Sequence, residues 1–127
     1  MSITATLSGN IQLTDSTTNT VVFVKQLLSL FNIGSTFLES QSASIGTSPV
    51  SVSLPVSPTQ FLYVKNLHAT QTLTVTWTPN GGSSNTVLTL YPGSAILFVE
   101  AATGAGITAL SLTGSSAATT CEYVLAG

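Results

Sequence analysis

Leu73, Val75 and Trp77 alternate with Thr72, Thr74, Thr76 and Thr78. A period of two marks a strand with one buried and one wetted face. The residues that follow, Pro79, Asn80, Gly81, Gly82, Ser83, Ser84 and Asn85, are turn formers in a row, and Asn80 and Gly81 accept positive φ. A hairpin loop is predicted there. Thr86 to Tyr91 supplies the return strand, and Pro92 with Gly93 gives a second tight turn before Ala95 to Glu100. The segment therefore reads as three consecutive antiparallel strands.

Further strands recur at the short, regular spacing that marks sandwiches and barrels. Val50, Val52 and Leu54 alternate with Ser51 and Ser53. Phe61 to Leu67 follows Pro55 and Pro58, and its Phe61, Tyr63, Lys65 row is expected at a rim or an interface. Ile107 to Thr113 comes after a flexible Thr103, Gly104, Ala105, Gly106 loop, and Thr120 to Ala126 makes the last strand. Near the start, Ile3, Ala5 and Leu7 form an opening strand, interrupted at Gly9 and Asn10 before Ile11 and Leu13. Thr20 to Phe31 carries two signals. Val24, Leu27, Leu28 and Phe31 fit helical spacing, while Val21, Val22, Phe23 and Val24 read as a buried strand, so a strand running into a short helical turn is expected. Gly34 stops it, and Phe37 to Ile45 is a further strand.

The sum is an all-β chain of about eight or nine strands, closing most economically as one antiparallel two-sheet β-sandwich, jelly-roll-like, over residues 1–127. An immunoglobulin-like topology is the nearest competitor, without the Cys, Trp, Cys spacing of that fold. No internal repeat or linker divides the chain.

Composition sharpens this picture. Asp, Glu, Lys and Arg make up 5% of residues, against about 25% in ordinary globular proteins. Apolar residues make up 43%, so the deficit of charge does not mean disorder. Hydroxyls replace the charges: 18 Ser and 21 Thr are close to a third of the chain. With two Lys, no Arg and a net charge of -2, no footprint exists for a nucleic-acid backbone or a polybasic membrane contact. Lys25 is the first basic residue and Ala95 to Val99 the longest bulky apolar run, so neither a secretory signal nor a membrane span is expected.

The inventory for catalysis is equally thin. His68 lies in a polar turn after a strand and is expected to be structural. No Ser has a nucleophile-elbow context, and a Ser, His, Asp triad would have to draw on His68 and Asp15. Paired carboxylates would have to come from Asp15, Glu39, Glu100 and Glu122, which are far apart in sequence. One His and one Cys do not build a zinc site, and Gly104, Ala105, Gly106 lacks the Lys of a phosphate loop. Cys121 is expected as a small buried hydrophobe. Trp77, with Tyr63 or Tyr91, suits a sugar-stacking platform, but its alternation with Leu73 and Val75 places it in the core. No catalytic residue, metal or cofactor is assigned, and an enzyme is not expected.

Edges supply a different argument. Isolated sandwiches protect their edge strands with Lys, Pro or bulges, and this chain has two Lys for all of its edges. Some edges should therefore be covered by another chain. Sparse charge also permits close self-association. A homo-oligomer, or a subunit that depends on an assembly, fits better than a free monomer.

Tyr63, Val64, Lys65, Asn66, Leu67, continued by Leu73 to Trp77 and by Leu90, Tyr91, Pro92, Gly93, Ser94, Ala95, resembles small tailed-bacteriophage virion proteins. In these an aromatic, Val or Ile, Lys, Asn, Leu strand precedes an alternating hairpin and a Leu, x, Pro, Gly turn. The resemblance spans residues 61 to 100, roughly a third of the chain. It implies a capsid cement or decoration protein that binds and stabilises an icosahedral shell, with the major capsid protein and copies of itself as partners. Such a protein is made in the host cytoplasm and located in the virion. The pattern describes turns and core, so it carries over no functional residue. Asn80, Ser83 and Ser84 in the hairpin loop, or the N-terminal segment, are the expected contacts. The alternatives are a tail, fibre or head-closure component and, from another class, a carbohydrate-binding β-sandwich module.

Overall fold

The computed structural model describes residues 3–15, 17–18, 20–33, 38–100, 102 and 104–127, with 3–15, 20–33 and 38–40 as backbone. These residues form ten β-strands and no helix. They are β1 (Ile3–Asp15), β2 (Thr20–Ile33), β3 (Leu38–Ile45), β4 (Val50–Val52), β5 (Phe61–Asn66), β6 (Leu73–Pro79), β7 (Thr86–Leu90), β8 (Ala95–Val99), β9 (Ile107–Gly114) and β10 (Thr119–Ala126). Phe37 and Gly34 lie outside the described residues.

The sandwich is one long hairpin rolled up. Around the loop after Pro79, β6 pairs with β7, β5 with β8, β4 with β9 and β3 with β10, every pair antiparallel. Two more antiparallel pairings, β5 with β10 and β6 with β9, roll this ladder into sheets ordered β3-β10-β5-β8 and β4-β9-β6-β7. This is the nested order of a jelly roll, in which eight strands close over one core. The expected two-sheet sandwich is what the chain forms.

Alternation builds that core. Along β5 and β6 every second residue is buried: Leu62, Val64 and Asn66 on one strand, Leu73, Val75 and Trp77 on the other. From β9 and β10 come Ile107, Leu110, Leu112, Cys121, Tyr123 and Leu125. Trp77 meets Phe98 of the opposite sheet with ring centroids 6.3 Å apart and planes tilted by 49°, a geometry favourable for aromatic pairs. Fully burying side chains of this size contributes about 1.5–3 kcal/mol each.

The structure corrects one feature of the central segment. The strands β6, β7 and β8 do not continue as one antiparallel run, because β8 crosses to the other sheet and pairs with β5. The turn before it is tied to the end of β5: Asn66 N donates to Ser94 O at 2.9 Å and Gly93 N to Asn66 O at 3.1 Å. Once those bonds form, β8 emerges beside β5.

The strands β1 and β2 form a separate two-stranded ribbon, in register from Ile3↔Ile33 to Asp15↔Thr20 with a bulge between Leu13 and Thr14. No helical turn occurs in Thr20 to Phe31, and Gly9 and Asn10 do not interrupt β1. The register shows why the helical spacing misleads. Residues directly opposite share a face, so Leu27 and Phe31, opposite Gly9 and Ala5, lie on one face, and Val24 and Leu28, opposite Gln12 and Ser8, lie on the other. The apparent stripe is a strand with apolar positions on both faces. On the first face Ile3, Ala5, Leu7, Gly9, Ile11 and Leu13 stand opposite Ile33, Phe31, Ser29, Leu27, Lys25 and Phe23.

Candidate interaction surface

His68, Cys121 and Trp77 each have a place in the fold. His68 Nδ1 accepts the backbone N–H groups of Thr70 at 3.2 Å and Gln71 at 3.0 Å, so it shapes the loop between β5 and β6. Cys121 is fully buried, and burial pushes its thiol up, partly countered by a backbone hydrogen bond at Ala43. Fully buried in the core cluster, Cys121 is a packing group. Trp77 belongs to the core, which closes the sugar platform proposed for it.

Glu100 Oε1 accepts Ala102 N at 3.1 Å, and Glu122 Oε1 accepts the Tyr63 hydroxyl at 3.3 Å. Burial pushes the Tyr63 hydroxyl up, and the charge of Glu122 and its hydrogen bond act in the same direction. Of the remaining acids, Asp15 falls on β1 and Glu39 on β3. Among the described residues no three His, Cys, Asp or Glu side chains gather as a metal site. The Gly104 to Gly106 segment is a fastened loop. Asn80 Nδ2 donates to Gly104 O, Asn80 N donates to Gly106 O at 2.8 Å, and Gly106 has φ +130° with Thr59 O where a Cβ would stand.

What stands out is one side of the sandwich. There β7 and β8 are the edge strands of their two sheets, and no charged residue occurs from Thr86 to Val99. Thr86, Val87, Leu88 and Thr89 of β7 are all exposed. The exposed large apolar residues of this side are Val87 at 61% and Tyr91 at 67%, with Leu88 and Leu97; Val87, opposite Thr76, and Leu97, opposite Tyr63, lie on the outer faces of the two sheets. Leu67 is exposed next to the same turn, since it directly follows Asn66, which bonds Gly93 and Ser94. Edge strands without Lys, Pro or bulges present unpaired N–H and C=O groups to any passing strand. An uncharged apolar rim on such an edge makes this side the candidate interaction surface.

A single buried amide positions it. Asn66, fully buried, donates from Nδ2 to Gln71 O at 2.7 Å and to Leu90 O at 3.0 Å, and its Oδ1 accepts His68 N at 3.0 Å. With its backbone bonds to the 91–94 turn, this side chain joins the end of β5, the β5–β6 loop and the end of β7. The turn itself closes by Ser94 N to Tyr91 O at 2.9 Å, with Gly93 at φ +76°. Pro at the second position and Gly at the third suit a type II turn. Tyr91 is thereby held out at the corner.

Asn80, Ser83 and Ser84 are exposed in the β6–β7 loop, as a contact role requires, but Asn80 is committed to the β8–β9 loop. Val87, Leu88, Tyr91 and Leu97 were not singled out as contacts by sequence reasoning. The available signal, a charge-free run across two strands and their turn, is shared by residues 40–64, which carry the edge strand β4. Comparison with protein-family models, curated proteins and solved structures gives no match to this chain.

Proposed function

We propose that this chain is a virion structural protein, a capsid decoration or cement subunit that binds the outside of an icosahedral phage shell and stabilises it. The carrying observation is the uncharged side formed by β7, β8 and the Tyr91 turn, with apolar residues exposed on unpaired edges. Such a side is costly for a free monomer and useful to a subunit whose neighbours cover it. The jelly roll supports the reading as analogy alone, since viral capsid domains, lectins and cupins share that architecture. The resemblance over residues 61 to 100 points the same way. Hydroxyls and a small net charge suit an exposed, close-packed outer layer.

The mechanism is binding linkage. A subunit that binds the assembled shell and not its dissociated parts shifts the equilibrium towards the shell by mass action. Shells lacking this protein, mixed with the purified chain, should take it up at a fixed saturating stoichiometry and gain resistance to heat or chelator. Val87→Lys with Tyr91→Ser should weaken uptake. Shells that take up none of the wild-type chain would end the proposal, and uptake confined to the tail or portal vertex would transfer it to a tail or head-closure role.

A further inference from the structure

We infer that the β1–β2 ribbon is a dimerisation arm, in which the apolar face of one copy's ribbon packs on the same face of a second copy about a two-fold axis. The inference does not rest on shell binding. It starts from length: thirteen residues in β1 span roughly 40 Å, whereas the longest sandwich strands, at eight residues, span roughly 26 Å. Along its strands the sandwich is shorter than the ribbon. A two-stranded ribbon alone is marginal in water, so its apolar face needs a cover of its own length.

A second copy supplies one. Eight of the twelve positions on that face from Ile3↔Ile33 to Leu13↔Phe23 are Ile, Leu or Phe. At roughly 60–120 Å² per fully buried side chain of this kind, a facing pair would bury about 1,000–2,000 Å², the size class of stable, specific interfaces. The opposite face holds polar residues all along β1 and is the poorer candidate.

Register selects the arrangement. With the axis crossing the strands at the middle of the face, β1 lies over β1 in reverse, and Leu7 meets the level of Gly9 while Ala5 meets that of Ile11. At these central levels of β1 large positions fall opposite small ones, while at the ends Ile3 meets the level of Leu13 and Ile33 that of Phe23. On β2, Ser29 comes opposite Leu27 and Lys25 opposite Phe31. Lys25 then lies roughly 20 Å along the strand from its counterpart, six residues away in level, and Asp15, next in the same row of β1 after Leu13, falls at the end of the face. An axis along the strands would instead bring the two lysines to one level.

The full-length chain tests this. Light scattering with sedimentation, from low to high micromolar concentration, should show a wild-type dimer. Leu7→Asp and Phe31→Asp should weaken it at least tenfold. Thr6→Asp, on the same strand but the other face, should leave it dimeric, which controls for loss of strand propensity. Unchanged Trp77 emission shows that the sandwich is intact in each variant, because Trp77 lies in its core. The paired variant Ala5→Cys, Ile11→Cys should cross-link between copies with a short bis-maleimide, whereas Ala5→Cys alone should not. Cys121 is buried and silent. A wild-type monomer, a trimer, equal weakening by Thr6→Asp, or cross-linking by Ala5→Cys alone would each overturn the inference. A monomer that still binds shells would sink the dimer and keep the proposed function, and a dimer that ignores shells would do the reverse.

Discussion

β6 and β7 are neighbours in one hairpin, written in the same alphabet of Thr, Val and Leu, and they differ in burial at nearly every position. In β6, Leu73 and Val75 are fully buried and Trp77 is nearly so, while in β7 four of five residues are exposed. The contrast persists across a single pair: Val75 stands opposite Leu88 on the same face, yet Val75 has no exposure and Leu88 has 38%. Alternation tells which face a residue occupies. Burial follows from a strand's place in the sheet, and β6 lies inside its sheet between β9 and β7 while β7 ends it.

The largest test of that contrast uses one residue type in both strands. Leu73→Ala should cost about 2–5 kcal/mol of unfolding free energy, the range for buried leucines, and Leu88→Ala about 0.5 kcal/mol or less, as for surface sites. Urea titrations followed by far-UV circular dichroism measure both, and equal losses would break the contrast. Asn66→Ala comes next, at about 2–3 kcal/mol, because it strips partners from Leu90 O, Gln71 O and His68 N. Faster hydrogen exchange at the His68 amide should accompany it. If Asn66 only fills space, stability will fall without that local change.

Gly93→Ala should cost about 1 kcal/mol, the penalty for a side chain at positive φ, and should loosen Tyr91 without touching the core. The smallest effect is alkaline. Cys121 and Tyr63 both have pKa values raised in the folded state, so the native protein holds protons that the unfolded chain releases. Their contribution is complete below the unfolded values, about 8.5 for Cys and 10 for Tyr, and is lost as pH rises through the folded ones. The melting temperature should therefore fall above about pH 8.5, and less steeply in Cys121→Ala. Equal slopes in the two proteins would remove Cys121 from the account.

Much of the sandwich was legible because its signals are local. The Thr-interleaved row of β6, the Pro79 to Asn85 loop and the Pro92, Gly93 turn each specify their own backbone. The ribbon was misread because Val24, Leu27, Leu28 and Phe31 satisfy a helix period and a two-faced strand equally well, and only pairing with β1 separates the two. The candidate surface was half legible. Its lack of charge is visible in the sequence, but the meeting of β7 and β8 on one side depends on a crossing between sheets.

An all-β chain, a charge-poor and hydroxyl-rich composition and a core built from alternating rows are written locally in the residues. These follow from side-chain chemistry and from a two-residue period that acts within a few bonds. It took the packing of the whole chain to send β8 out of the sheet of β6 and β7, to turn Asn66 inward so that it ties three segments together, and to leave β7 and β8 as edge strands with Val87, Leu88, Tyr91 and Leu97 exposed. Each of those outcomes depends on residues brought together from distant parts of the chain, where the hydrogen bonds left unmade and the apolar area left uncovered are properties of the whole packing.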